Sequence, residues 1–184
     1  MQQIRDAVEA DLSAIVDIYN STIPSRMVTG DLEPISVSSR LDWFHSHRPT
    51  DYPLWVMEVE GQIVAWLGFQ PFYGRPAYRG TAEISLYVGQ HHRRQGCGRQ
   101  LLAKAIHDAP NLHIHILLGF IFGHNLPSLR LFEQMGFFRW GHLPQVAQLD
   151  GVKRDLIIVG RPSGSGTTTI DLNNFTTNLT TFPS

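Results

Sequence analysis

The segment Arg93-Arg94-Gln95-Gly96-Cys97-Gly98-Arg99 places three cations and two glycines within seven residues. It follows a run of β-forming residues at 81–89 and precedes a helical apolar pattern at 100–108. The first N–H groups of a helix lack intrahelical partners, and the helix dipole adds positive charge there. Glycine lets the backbone come close to a ligand. The segment therefore predicts an anion site suited to a pyrophosphate.

Two common phosphate motifs do not fit this segment. A P-loop needs Lys followed by Ser or Thr after the second glycine, and Arg99 and Gln100 stand there. A dinucleotide fingerprint needs a third glycine, where this chain has Leu101. The spacing alone leaves two alternatives open, a phosphate-bearing ligand or a solvated turn rich in arginine.

Composition excludes several classes of partner. The formal net charge of the 184 residues is −1, so no global field favours nucleic acid or an anionic membrane. Cys97 is the single cysteine, which rules out an internal disulfide and a cysteine zinc framework. His113 and His115 have no third ligand at a usual spacing, so we expect no metal. The first residues lack the apolar stretch of a secretory signal, and we expect a cytoplasmic protein.

The apolar periodicity predicts the elements that position the segment. Helical patterns precede an apparent β-hairpin at residues 54–60 and 62–69, and Asn125 is a candidate cap for a late helix. The predicted order is β-α-α-β-β-β-α-β-α-β-β, a mixed sheet with helices on both faces. Its elements are assigned to the following residues: strands 2–6, 54–60, 62–69, 81–89, 112–122, 137–140 and 152–159; helices from 11 or 13, 36–47, 100–108 and from 125 to 136. We expect one domain over residues 1–161 and a Ser/Thr/Asn-rich tail over 162–184.

The chain resembles the GNAT superfamily of N-acetyltransferases over about residues 2 to 160. Arg93-x-x-Gly96-x-Gly98 after a strand resembles that family's acetyl-CoA motif, and the element order agrees. Thr81-Ala82-Glu83 and the preceding Ala77-Tyr78 resemble the phosphinothricin acetyltransferase branch, as does the segment Asn125-x-Pro127-Ser128-x-Arg130-Leu131. The resemblance implies an α/β fold of GNAT type, with a mostly antiparallel central sheet and helices on both faces.

The resemblance also implies which residues bind acetyl-CoA. Backbone amides of the glycine segment would hold the pyrophosphate, and Leu86, Tyr87 and Val88 would pair with the pantetheine arm. A sheet splayed after Val88 would give the thioester its slot. Asn125 and Ser128 would contact the cofactor arm. The full set of candidate cofactor-binding residues is Leu86, Tyr87, Val88, Arg93, Arg94, Gln95, Gly96, Cys97, Gly98, Arg99, Asn125 and Ser128.

Acetyl transfer to an amine requires a base, because most aliphatic amines are protonated at neutral pH. Glu83 is the candidate, since it lies in an otherwise apolar strand where burial should raise its pKa. The alternative is an exposed charge or an ion pair with Arg75 or Arg79. The family often carries a tyrosine or histidine as acid seven residues after the asparagine, but this chain has Phe132, which cannot donate a proton.

The acceptor is expected to be a small amino-acid analogue of the phosphinothricin or methionine sulfone type. The resemblance implies that Arg75 binds its carboxylate, with Tyr78 beside it in the same loop; the alternative is a loop arginine in solvent. Two alternatives stay open: another amine (an aminoglycoside, a polyamine or a protein N-terminus), or a CoA-binding module with little catalysis. Relatives in the branch are commonly dimers, and residues 143–154 are candidate interface material.

Overall fold

The computed structural model describes residues 2–163; Met1 and residues 164–184, including the predicted Ser/Thr/Asn-rich tail, lie outside the described residues. Seven strands form one sheet in the order β1-β2-β3-β4-β5-β7-β6. The strands are β1 (Gln2–Asp6), β2 (Leu54–Val59), β3 (Gln62–Pro71), β4 (Thr81–Val88), β5 (Ile116–Phe122), β6 (Phe138–Leu149) and β7 (Val152–Pro162). The helices are α1 (Leu12–Asn20), α2 (Leu41–Ser46), α3 (Cys97–Asp108) and α4 (Leu126–Gln134).

The sheet is mixed and mostly antiparallel, as the resemblance implied. Its one parallel pair is β4 with β5, and every other neighbouring pair runs antiparallel. The predicted element order is confirmed from β1 to β7. Within residues 2–163, no helix is long and apolar enough to span a membrane.

Alternation along β2 and β3 sends side chains to two separate cores. Trp55 and Met57 pack with α3, whereas Leu54 and Val56 pack with α1 on the opposite face. A bulge in β3, opposite the step from Met57 to Glu58, brings Val64 onto the α3 face next to Ala65. The helices therefore cover both faces, with α1 and α2 on one side and α3 and α4 on the other.

Several predicted boundaries are wrong. The helix predicted over 36–47 is a short 3-10 turn, Ser38–Arg40, followed by α2 of only six residues. The strand predicted from residue 112 begins at Ile116, because a 3-10 turn, Ala109–Leu112, precedes it. The strand predicted to end at residue 140 continues as β6 to Leu149. β6 is an edge strand whose register shifts between Leu143 and Ala147, and this irregularity accommodates Pro144.

Candidate active site

The central feature of the sheet is a fork between its two parallel strands. β4 and β5 pair only at Thr81 with Ile116, Ala82 with Leu117 and Glu83 with Leu118. Beyond Glu83 each strand stays bonded to its other neighbour, β4 to β3 and β5 to β7. The backbone of β4 from Ile84 to Val88 therefore presents an edge without a strand partner to a wedge-shaped cleft. Such an edge can pair with an extended, amide-bearing ligand.

The fork begins earlier than predicted. We expected the sheet to splay after Val88, but pairing stops five residues sooner, after Glu83. The ring of Phe132 on α4 fills the space next to Gly119 of β5, where an added Cβ would lie 2.9 Å from Phe132 Cε1. The last paired residue of β5, Leu118, directly precedes Gly119. Leu86, Tyr87 and Val88 consequently all lie on the open part of β4.

The glycine segment forms the turn between β4 and α3. Arg94 has a φ of 61° and Gly96 a φ of 84°, so two residues of the turn adopt the left-handed conformation. α3 begins at Cys97, three residues before the predicted start at Gln100. The Gln100 N–H donates to the carbonyl of Gly96 at 3.0 Å, which closes the first turn. The preceding amides, those of Cys97, Gly98 and Arg99, have no intrahelical acceptor and can bind an anion.

Side chains around this turn leave its backbone accessible. The side chain of Gln95 is turned back, donating to the carbonyl of His91 at 2.9 Å, and Cys97 is buried beneath the turn. An added Cβ at Gly98 would lie 3.2 Å from Leu131 and 3.5 Å from Leu86, so glycine allows α3 to approach α4 and β4 closely. The cationic residues of the turn are exposed at its rim: Arg93, Arg94 and Arg99. This arrangement fits a pyrophosphate-bearing ligand.

The start of α4 forms the other wall of the cleft. Asn125 is the N-cap of α4, and its Oδ1 accepts the N–H of Ser128 at 3.2 Å. Both residues line the cleft together with Phe132. The expectation that Asn125 caps the helix is confirmed. Its position beside the open edge of β4 also suits a contact with the same extended ligand.

Glu83 lies where the cleft begins. It is paired with Gln70 of β3 on one side and with Leu118 of β5 on the other. Its side chain is half-buried, and burial raises the pKa of its carboxyl above the ordinary value, as the sequence predicted. Across residues 2–163, no salt bridge joins Glu83 to Arg75 or Arg79. A carboxyl at the mouth of a cleft with a raised pKa can accept a proton near neutral pH.

A second cavity, of about 160 Å³, adjoins the cleft on the α1 and α2 face of the sheet. It shares Ser85 and Tyr87 with the cleft. Trp66 forms one wall and stacks on Tyr87, with ring centroids 4.4 Å apart. The sequence did not predict that the following polar and aromatic residues also line this cavity: Tyr19, Arg40, Trp43 and Gln70.

Arg75 and Tyr78 occupy different surroundings from Glu83. Both lie in the exposed loop between β3 and β4, Arg75 as the N-cap of a 3-10 turn, Pro76–Tyr78. Neither lines the cleft or the adjoining cavity. The rings of Phe72, Tyr73 and Tyr78 pack on one another in this loop. The structure thus brings Glu83, the open edge of β4, Asn125 and Ser128 together and leaves the predicted acceptor residues outside.

Comparison with known proteins decides the family. The Acetyltransferase (GNAT) family matches residues 13–137. The chain belongs to the GNAT family. This GNAT chain is 52% identical over 159 residues to YwnH of Bacillus subtilis, a phosphinothricin acetyltransferase-like protein, covering 86% of this chain and 97% of YwnH.

Two further relatives match most of this GNAT chain. An L-methionine sulfoximine/L-methionine sulfone acetyltransferase of Salmonella typhimurium is 31% identical, covering 83% of this chain and 90% of the relative. A crystal structure of a GNAT phosphinothricin acetyltransferase from Sinorhizobium meliloti in complex with acetyl-CoA has a TM-score of 0.84. It is 28% identical and covers 90% of each chain. Among the described residues of this GNAT chain, no group of three metal-ligating side chains is found.

Proposed function

We propose that this chain transfers the acetyl group of acetyl-CoA to the amine of a small amino-acid-like acceptor. The relatives named for phosphinothricin and methionine sulfoximine or sulfone support this acceptor class. The observation that carries the proposal is the fork after Glu83, which places a half-buried carboxyl at the start of a cleft walled by the open edge of β4.

The geometry of the turn and of the cleft supports the following assignment of cofactor-binding residues. The turn containing Arg93, Arg94 and Gln95 and the first amides of α3 bind the pyrophosphate. The open edge of β4 pairs with the amides of the pantetheine arm, and Asn125 with Ser128 contacts the arm from the opposite wall. When bound, acetyl-CoA supplies the thioester whose carbonyl carbon is attacked.

Glu83 accepts a proton from the acceptor's ammonium group, directly or through a water molecule. With both substrates bound together, the neutral nitrogen attacks the thioester carbonyl carbon. As the new C–N bond forms and the C–S bond breaks, the nitrogen releases its second proton to solvent. The departing thiolate needs no strong acid, because thiols have pKa values near 8.5. A chain with Phe132 in the cleft can therefore still complete the reaction, and solvent protonates the thiolate.

The acceptor's α-carboxylate is assigned to Arg75, with Tyr78 beside it. This role stays a prediction, because the loop that holds both residues is exposed and lines neither cavity. Arg75→Ala should raise KM for carboxylate-bearing acceptors far more than KM for acetyl-CoA. Equal changes in the two values would remove Arg75 from the site.

A homodimer in the cytoplasm is the proposed setting. β6 is an edge strand, and residues 143–154 carry three exposed apolar side chains, Leu143, Val146 and Val152. These features support an interface there. Light scattering on the full chain tests it, since Val146→Glu should yield monomers if this surface is buried between two copies.

The test of the function is release of free CoA thiol with a panel of amines. The panel contains phosphinothricin, methionine sulfone and methionine sulfoximine, and also an aminoglycoside, a polyamine and a peptide N-terminus. Fast release with the first three acceptors alone supports the proposal. Faster release with another amine would assign a different acceptor class to the same reaction. Tight CoA binding without release from any amine would identify a CoA-binding module instead.

A further inference from the structure

The cavity beside the cleft has polar lining that the proposed chemistry does not use. Arg40, at the start of α2, and Gln70 of β3 are among the lining residues. Its guanidinium carbon lies 5.2 Å from the ring centroid of Tyr19 and 5.6 Å from that of Trp43. Two aromatic rings therefore hold the cation in place.

The charge of Arg40 is only loosely paired. Asp31 is its partner at 3.6 Å, and that carboxylate also accepts the Tyr19 hydroxyl at 2.6 Å. In the described part of the chain, the guanidinium of Arg40 makes no hydrogen bond with ideal geometry, and 30% of its side chain is exposed. Its N–H groups can therefore bind an incoming oxyanion.

The cavity has room for a small side chain. Its volume is about 160 Å³, well above the roughly 10 to 15 Å³ of accessible space that one water molecule needs. Two methylenes ending in a phosphinate or a sulfone can enter such a space. The aromatic walls suit the methylenes, and Arg40 suits the terminal oxygens.

The position of Glu83 sets the direction of the acceptor. Ser85 and Tyr87 are shared by the cavity and the cleft, and they follow Glu83 on the same face of β4. An acceptor with its amine at Glu83 can therefore extend its side chain past Ser85 into the cavity, which Arg40 also lines.

We propose that Arg40 binds the acidic or oxo group at the end of the acceptor's side chain and so selects for phosphinate and sulfone acceptors. This inference rests on the proposed function. In this proposal the two arginines bind different groups of the acceptor: Arg75 binds the α-carboxylate and Arg40 binds the terminus of the side chain.

The experiment compares Arg40→Gln with the unchanged protein on three acceptors that share an α-amino acid head: phosphinothricin, methionine sulfone and methionine. We expect kcat/KM to fall about 10- to 100-fold for phosphinothricin, the range for a lost charge-assisted hydrogen bond. The loss should be smaller for the neutral sulfone. It should stay under about threefold for methionine, which lacks terminal oxygens, and the KM for acetyl-CoA should not change.

Two further variants separate binding from structure. Arg40→Lys keeps the positive charge but lacks the planar guanidinium that can donate two parallel hydrogen bonds. It should recover part of the activity on phosphinothricin. Asp31→Asn removes the partner carboxylate; if Arg40 only braces α2 through Asp31, this variant will reproduce the losses of Arg40→Gln on all three acceptors. Arg75→Gln should lower activity equally on all three.

The outcomes are distinguishable. Equal losses for Arg40→Gln on the three acceptors overturn the role of Arg40 and leave the proposed function intact. A further acceptor that lacks the α-carboxylate distinguishes one more case. If Arg40→Gln lowers activity on every acceptor except that one, Arg40 binds the α-carboxylate and the inference is overturned. If the unchanged protein acetylates none of the three, the proposed function falls first and this inference with it.

Discussion

Glu83 and Leu118 form the last residue pair that joins β4 to β5 before the two strands separate. Glu83 therefore lies both at the end of the pairing between β4 and β5 and at the start of the cleft. The carboxyl is half-buried because the sheet is continuous on one side of it, yet it faces a cavity on the other. This position gives Glu83 a raised pKa together with access to a ligand.

Glu83→Gln should lower kcat about 10²- to 10⁴-fold, the usual contribution of a general base. The active form is the carboxylate, so kcat/KM should fall as pH drops below the pKa of Glu83. Because burial raises that pKa, the acidic limb should lie above the range of an ordinary glutamate. Stopped assays of CoA release across pH test this. Glu133→Gln, on the exposed face of α4, is the control and should change neither kcat nor the limb. An acidic limb that persists unchanged in Glu83→Gln would assign it to another group.

The same substitution should stabilise the fold at neutral pH. The folded state binds the Glu83 proton more tightly than the unfolded state, because the folded pKa is the higher one. Unfolding free energy therefore falls as pH rises from the ordinary pKa through the raised one. Above that window the buried charge costs stability, and glutamine removes this cost. Thermal unfolding at pH 4 and pH 8 should show a higher Tm for Glu83→Gln at pH 8 and little difference at pH 4. A lower Tm at pH 8 would mean that Glu83 has a stabilising partner in solution.

Local patterns were sufficient to predict the order of the elements. Apolar alternation and helical spacing depend on neighbours in the chain, and they located β2, β3 and α4 closely. These local patterns did not predict where β6 ends. Pro144 normally stops a strand, but an edge strand with a shifted register accommodates it.

The candidate site was predictable where it is local in sequence. The helix start at the glycine segment and the helix cap at Asn125 depend on backbone geometry over a few residues. The position of the fork was not predictable, because it depends on how β3, β4, β5 and β7 pair across the sheet and not on residue types along β4 alone. The cavity with Arg40 was missed for the same reason, since α1, α2, β3 and β4 each contribute part of its wall.

Asn125 combines a helix cap with a cleft position, and two substitutions separate them. Asn125→Ala loses the bond to the Ser128 N–H and should cost about 1 kcal/mol of stability. Asn125→Asp keeps a capping oxygen, so Tm should stay close to that of the unchanged protein, but it loses the amide donor. Both variants should raise the KM for acetyl-CoA. Normal KM in Asn125→Asp would limit Asn125 to its structural role.

Gly96 and Gly61 form a matched pair for testing whether the glycine segment binds the cofactor. Both have left-handed φ angles, 84° and 82°, and neither would place an added Cβ closer than 3.8 Å to a neighbour. Alanine at either position should cost about 1 kcal/mol from backbone strain. Only Gly96→Ala should also raise the KM for acetyl-CoA, by about tenfold or more, because it disturbs the amides at the start of α3. Chemical denaturation and steady-state kinetics measure the two effects. Equal KM values in the two variants would remove the turn from cofactor binding.

Phe132→Tyr tests whether protonation of the thiolate limits turnover. Phe132 lines the cleft and is almost fully buried, with 3% of its surface exposed. We expect kcat to change less than about twofold, because a thiolate leaves readily without an acid. The new hydroxyl should lower stability by about 1 to 3 kcal/mol if it finds no hydrogen-bond partner.

Phe137→Tyr is the control, since Phe137 is equally buried and its ring packs on that of Phe132 at 4.9 Å. It does not line the cleft, so it should lower Tm and leave kcat unchanged. The kinetic comparison uses single-turnover release of CoA at pH 6 and pH 8. A tenfold or larger rise in the rate for Phe132→Tyr alone, at either pH, would show that the unchanged protein lacks an acid that its chemistry needs.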